Sequence, residues 1–128
     1  MRSGLPGAIL PGMALRSLIV DDNSLFLDSA RALLEREGIP VVGVASTSAE
    51  ALRLVRDLRP DVTLVDIDLG DESGFDLARR LSGTADSRVV LISAYPETDF
   101  ADLIEESPAA GFLAKAQLSA KAIKDVLD

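Results

Sequence analysis

Apolar residues in this chain follow two rhythms: short unbroken runs, and longer stretches in which they recur every three or four positions. The runs are Leu18-Ile19-Val20, Pro40 to Ala45, Val62-Thr63-Leu64-Val65, Val89 to Ile92 and Gly111 to Ala114. Runs of this length predict strands covered on both faces. Between them, Phe26, Leu27, Ala30, Leu33 and Leu34 lie at helical spacing up to Gly38, a residue suited to the left-handed position past a helix end. Thr47-x-x-Glu50 is a capping-box pattern, and the helix it opens carries Leu52, Val55 and Leu58 inward until Pro60 stops it. A loop through Gly70 and Gly74 leads to a helix with Phe75, Ala78 and Leu81 on one face. A fourth helix is predicted from about Glu97 to Ser107, burying Phe100, Leu103 and Ile104, and a fifth carries Ala120, Ile123, Val126 and Leu127.

Strict alternation of apolar strands with amphipathic helices implies parallel strands joined by right-handed crossovers, because parallel neighbours cannot be connected by a tight turn. The expected fold is α/β, an open doubly wound five-stranded parallel sheet with helices on both faces. Ligands in such folds bind outside the carboxyl ends of the strands. Asp21-Asp22, Asp66, Ser93 and Lys115 follow strands one, three, four and five at those ends.

Composition narrows the chemistry. At 128 residues and 48% hydrophobic content, the chain suffices for one domain with one ordinary core. Its net charge of -8 opposes attraction to phosphate backbones, so no direct nucleic acid partner is expected. Without cysteine or histidine it can build neither disulfides nor thiolate or imidazole metal sites, and any histidine chemistry must come from a partner. Residues 1–14 read as a flexible N-terminal extension; alternatively Met13 is the natural start, and residues 1–12 are a vector remnant or an overlong reading of the gene. Pro6 and Pro11 leave only Gly7 to Leu10 between them, well short of a signal-peptide core of roughly 7 to 15 residues or a membrane span. A cytoplasmic location without membrane contact is expected, with the domain covering residues 15–128.

Singly, each polar residue at the strand ends has an ordinary explanation: Asp as a helix N-cap, Ser as a loop residue, Lys as a solvated charge. Jointly they do not. If strands one and three are neighbours, three carboxylates converge and repel unless a cation neutralises them. An all-oxygen set with few protein ligands suits Mg2+ better than Ca2+, which prefers a fuller cage. Ser93 and Lys115 supply the donor and the positive charge that a phosphoryl group needs, and a carboxylate between metal and phosphate is a plausible nucleophile.

Asp21-Asp22, Asp66-Ile67-Asp68-Leu69-Gly70-Asp71-Glu72-Ser73-Gly74, Ile92-Ser93-Ala94 and Gly111-Phe112-Leu113-Ala114-Lys115 together resemble the response-regulator receiver domain of two-component signalling, over about Leu15 to Leu127. The resemblance implies a flavodoxin-like sheet of order 2-1-3-4-5. It also implies that Asp66 accepts a phosphoryl group from a sensor histidine kinase or a histidine phosphotransfer protein. Asp21, Asp22, Asp66 and the backbone carbonyl of Asp68 would then hold Mg2+, and Ser93, the Ala94 N–H and Lys115 would bind phosphoryl oxygens. Phe112 stands at the family's switch aromatic, with a plain strand residue as the alternative. Asp68 and Tyr95 are expected to tune hydrolysis of the phosphoaspartate. The implied readout is the helix4-strand5-helix5 face, about Glu97 to Leu127, toward an output domain, an effector protein or a phosphorylation-dependent homodimer. No enzymatic activity is implied beyond the domain's own phosphotransfer and autodephosphorylation.

Two positions depart from the family. Gly70 replaces a frequent Pro, which implies a freer loop after Asp66, and Ala116 replaces the Pro that often follows the lysine. Among competing readings, Asp66-x-Asp68 resembles the signature of haloacid-dehalogenase phosphatases, but that motif normally follows the first strand. A receiver-like docking module without phosphorylation usually lacks one of the acidic or lysine positions, and all are present. A flavodoxin-like domain for another ligand would want a glycine-rich loop where Asp21-Asp22-Asn23 stands.

Overall fold

The computed structural model of the chain describes residues 14–83 and 87–128, so the expected N-terminal extension, apart from Ala14, lies outside the described residues. Five parallel strands form the sheet: β1 Ser17–Val20, β2 Val41–Ala45, β3 Val62–Asp66, β4 Arg88–Ser93 and β5 Gly111–Ala114, in the order β2-β1-β3-β4-β5. This is the doubly wound topology expected from the alternating pattern, and each strand lies within two residues of its predicted run.

Side chains alternate across the sheet with period two, so each strand feeds two core layers. Ile19, Val62, Leu64, Val90 and Ile92 join Ala30 and Leu34 of helix α1 (Ser24–Arg36) and Ile123 and Leu127 of helix α5 (Ala120–Leu127). Leu18, Val20, Val65, Val89 and Leu91 face the other way, onto Ala51 and Val55 of α2 (Ser48–Leu58) and Phe75, Leu77, Ala78 and Leu81 of α3 (Gly74–Ser82).

The helix ends are set by the residues the pattern singled out. Gly38 takes φ +93 just past α1, and Arg59, with φ 49, ends α2 before Pro60. Thr47 Oγ1 accepts from the Glu50 N–H at 3.2 Å, while the Glu50 carboxylate reaches back to the Ser46 N–H at 2.9 Å, one residue further than a capping box requires.

Two expectations are corrected. The predicted fourth helix breaks into a 3-10 turn, Glu97–Phe100, and a short α4, Ala101–Glu106. Phe100, the N-cap of α4, has φ -131 and ψ 18, so the spacing that would align Phe100, Leu103 and Ile104 is interrupted. Phe100 and Ile104 pack partly against the second core layer, whereas Leu103 is 49% exposed. The loop after Asp66 is also not irregular: Asp68–Leu69 pairs antiparallel with Glu72–Ser73 in a small ribbon.

Candidate functional site

The site follows from strand parity. Asp21, Asp66 and Lys115 each lie two residues beyond a side chain of the α1–α5 core layer, Ile19, Leu64 and Leu113. They therefore emerge from the same side of the sheet at the carboxyl ends of β1, β3 and β5. The Lys115 ammonium stands 2.6 Å from Asp21 Oδ2 and 2.9 Å from Asp66 Oδ2, and 4.3 Å from the centre of the Phe26 ring of α1. That ring contact is favourable for a cation and helps hold the lysine over the carboxylates.

Asp21 is fully buried, and Asp66 is 6% exposed. Asp21 Oδ1 accepts from the Asn23 N–H at 2.9 Å, and Asn23 in turn caps α1 by accepting from the Leu25 and Phe26 N–H groups. Asp21 Oδ2 is buried, and among the described residues its close partner is the Lys115 ammonium, in an ion pair. Asp66 Oδ1 accepts from the Asp68 N–H at 3.0 Å. Gly74 lies against this turn: a Cβ there would overlap the Asp66 carbonyl oxygen, so only glycine fits.

The electrostatics are those of a crowded acidic pocket with one internal counterion. Burial pushes the Asp66 carboxyl above its ordinary range; the Asp68 N–H and Lys115 pull the other way, and Asp21 adds to the rise. Burial alone would lower the Lys115 ammonium, but bonds and charge from Asp21 and Asp66 more than reverse it and hold it above the usual lysine value.

Asp21, Asp22 and Asp66 each bring a carboxylate oxygen within 4.8 Å of the others. This all-oxygen donor set, whose buried Asp21 Oδ2 is met among the described residues by the Lys115 ammonium alone, fits a hard divalent cation. Asp22 and the Asp68 side chain are exposed.

The remaining predicted residues sit around this centre. Ser93 ends β4, beside β3 where Asp66 pairs with Ile92, and its buried hydroxyl accepts from the Tyr95 N–H at 2.9 Å. Ala94 is exposed, and Tyr95 is 59% exposed. Phe112 is half-buried on β5 against the second core layer, away from Lys115 in parity. Sequence reasoning placed Phe26 only as a helix core residue and did not single out Asn23 as a cap; an Asn directly before a helical run is the signal that marks such a cap.

Comparison with known proteins gives the site its context. Residues 17–127 match the model of the response regulator receiver domain. The chain is 33% identical over 103 residues to the response regulator GacA of Pseudomonas aeruginosa, covering 79% of this chain and 48% of that protein. It is 40% identical over 87 residues to the phyllosphere-induced regulator PhyR of Methylorubrum extorquens, covering 66% of this chain and 33% of that protein. The chain thus spans half or less of the length of these curated relatives. Among solved structures, a two-component response regulator of the LuxR family from Aurantimonas sp. SI85-9A1 superposes with a TM-score of 0.79 at 28% identity, covering 90% of this chain and 86% of that one. A response regulator protein from Burkholderia pseudomallei, solved with a phosphorylated aspartic acid, calcium ion and citrate, gives a TM-score of 0.76 at 29% identity, covering 88% and 66%. With the family's strand order, its acidic cluster and its residues 17–127 all accounted for, the chain belongs to the response regulator receiver domains of two-component signalling.

Proposed function

We propose that this receiver domain is switched by phosphorylation of Asp66 with Mg2+, the phosphoryl group coming from a histidine of a sensor kinase or phosphotransfer protein. The observation that carries the reading is the Lys115 ammonium shared by Asp21 and Asp66 at 2.6 and 2.9 Å, on one wall of a three-carboxylate cluster. An Asp66 carboxylate oxygen attacks phosphorus, the P–N bond to the donor imidazole breaks, and that imidazole keeps the electron pair and regains its proton. Asp21, Asp22, Asp66 and the Asp68 backbone carbonyl would hold the metal. Bound Mg2+ supplies positive charge that screens the carboxylates and draws a phosphoryl oxygen.

This chain's own residues do the remainder. The Asp68 N–H fixes the orientation of the Asp66 carboxylate, and Lys115, already 2.9 Å away, neutralises charge arriving on that carboxylate. Because the Ser93 hydroxyl accepts from the Tyr95 N–H, its own proton is left to donate to a phosphoryl oxygen, with the Ala94 N–H beside it. Drawing Ser93 inward shifts an existing conformational equilibrium, with Phe112 on the neighbouring β5 as the responding aromatic. The output face is the unit of α4, β5 and α5, toward an output domain, an effector or a second copy. Beyond its own phosphotransfer and autodephosphorylation the domain acts as a signalling module.

Intact-mass analysis after incubation with a small phosphodonor tests this. One phosphoryl group is expected in the wild type with Mg2+, and none without Mg2+ or in Asp66→Asn; incorporation persisting in the mutant sinks the assignment. In the same reading Tyr95, exposed and two residues past Ser93, shields the hydrolytic water, so phosphorylated Tyr95→Ala should lose its label faster than wild type. Unchanged or slower decay rejects that role. The haloacid-dehalogenase reading fits less well, since Asp66-x-Asp68 follows β3 and the Asp68 carboxylate is exposed.

A further inference from the structure

The ribbon that follows Asp66 turns at Gly70-Asp71, between the paired residues Leu69 and Glu72. Gly70 has φ +72, and Asp71 is not among the residues of positive φ. A first residue of positive φ followed by one of negative φ is the pattern of a type II′ hairpin turn, in which glycine takes the first place. The ribbon is held at both ends. Near the acceptor, the Asp68 N–H bonds Asp66 Oδ1 at 3.0 Å; on the far strand, Glu72 Oε1 accepts from the N–H of Ser48, the first residue of α2, at 2.9 Å. Ser73 then caps α3 by accepting from the Phe75 and Asp76 N–H groups.

This turn is pressed against the metal-binding carboxylates: a Cβ added at Gly70 would stand 3.1 Å from Asp22 Oδ2. We propose that Gly70 is a positioning residue for the divalent cation, acting through Asp22 and the Asp68 carbonyl, and that the proline frequent at this place in the family cannot replace it here. The inference deepens the phosphorylation reading and rests on it.

A side chain at Gly70 would have two consequences. A residue that keeps the left-handed turn crowds Asp22 Oδ2 and shifts a carboxylate that now lies within 4.8 Å of its Asp21 and Asp66 counterparts. A residue that cannot hold positive φ opens the turn, and proline, locked near φ -65°, is the extreme case. The opened ribbon displaces the Asp68 carbonyl. Because Asp22 is exposed, its side chain gives way without disturbing the core, so the loss falls on metal affinity before it falls on stability. Gly70 is therefore the residue the turn demands.

Calorimetric titration with Mg2+ of the wild type, Gly70→Asn, Gly70→Ala and Gly70→Pro tests the proposal, alongside thermal melts in EDTA. Asn is accepted at the positive-φ position of primed turns and isolates the crowding of Asp22. Affinity should fall in the order Gly, Asn, Ala, Pro, with proline weaker by about tenfold or more, the scale typical of groups that orient metal ligands. The EDTA melts of the Asn and Ala variants should match wild type. Their maximal rates of labelling by a small phosphodonor should recover at saturating Mg2+, so that only the half-saturating Mg2+ concentration moves. Wild-type affinity in Gly70→Pro overturns the proposal, as does a loss of maximal rate and melting temperature in Gly70→Ala at unchanged affinity. If the proline variant fails to fold, the Asn and Ala variants decide by the same criteria. A wild type that neither binds Mg2+ nor takes up phosphoryl sinks the functional reading itself, whereas wild-type binding with indifferent variants sinks this inference alone.

Discussion

The two sides of the sheet's centre are built to different standards. Every residue of β3 is buried and Leu64 and Val65 have no exposed surface, whereas all four residues of β5 are only half-buried. Helix α3 buries five residues, while α4 buries none and leaves Leu103 49% exposed. Local opening costs roughly what local burial supplies, so the first region should open only with the whole domain and the second on its own. Asp66, the proposed phosphoacceptor, thus stands on the firm part, and Ser93 and Lys115 lead into the loose part. A charge change at Asp66 has a fixed point of origin and an adjacent segment that is easily displaced.

The largest effect that would test this contrast comes from two glycines at opposite ends of α3. Gly74→Ala forces a methyl into the Asp66 carbonyl and should destabilise by about 3 kcal/mol, whereas Gly83, whose added Cβ meets nothing closer than 3.8 Å among the described residues, should tolerate alanine within about 0.5 kcal/mol. Urea denaturation measures both, and equal costs would dissolve the distinction. Next come two leucines. Leu81 of α3, with no exposed surface, should lose about 3 kcal/mol on truncation to alanine, while Leu103→Ala in α4 should stay within about 0.5 kcal/mol. A large cost at Leu103 would mean that α4 is better packed than its burial indicates.

The smallest effect is electrostatic. The folded Asp66 carboxyl is raised mainly by burial, so the folded state binds its proton more tightly than the unfolded chain does. That stabilising contribution is complete below the ordinary carboxylate value of about 4 and is lost as pH rises through the raised folded value. Asp66→Asn, which cannot ionise, should therefore be more stable than wild type at neutral pH in EDTA, and the gain should vanish at about pH 3. A gain of equal size at both pH values would show that ionisation is not its source.

The firm region was also the more legible one in the sequence. Buried parallel strands must be apolar on both faces, so Leu18 to Val20 and Val62 to Val65 announce themselves as runs, and the polar residues that end them mark the ligand-binding edge. The ribbon from Asp68 to Ser73 was not legible from apolar rhythm, because two-residue strands are too short to show one. Its signal was the dipeptide Gly70-Asp71, a hairpin-turn pattern. Around α4 the spacing of Phe100, Leu103 and Ile104 suggested one inward face, but the break at Phe100 turned Leu103 outward. A helix of six residues has too little periodicity to reveal that. Contacts such as Phe26 with Lys115 join residues far apart in the chain, so no local pattern encodes them.

Tyr95 gives the contrast an optical handle. It is the chain's one tyrosine, and there is no tryptophan, so emission excited beyond the phenylalanine absorption band comes from a single ring, 59% exposed and two residues past Ser93. In most proteins such a signal averages over the whole fold. Here it reports one loop at the junction of the firm and loose regions, and a shift on phosphorylation can be assigned to that junction without adding a label.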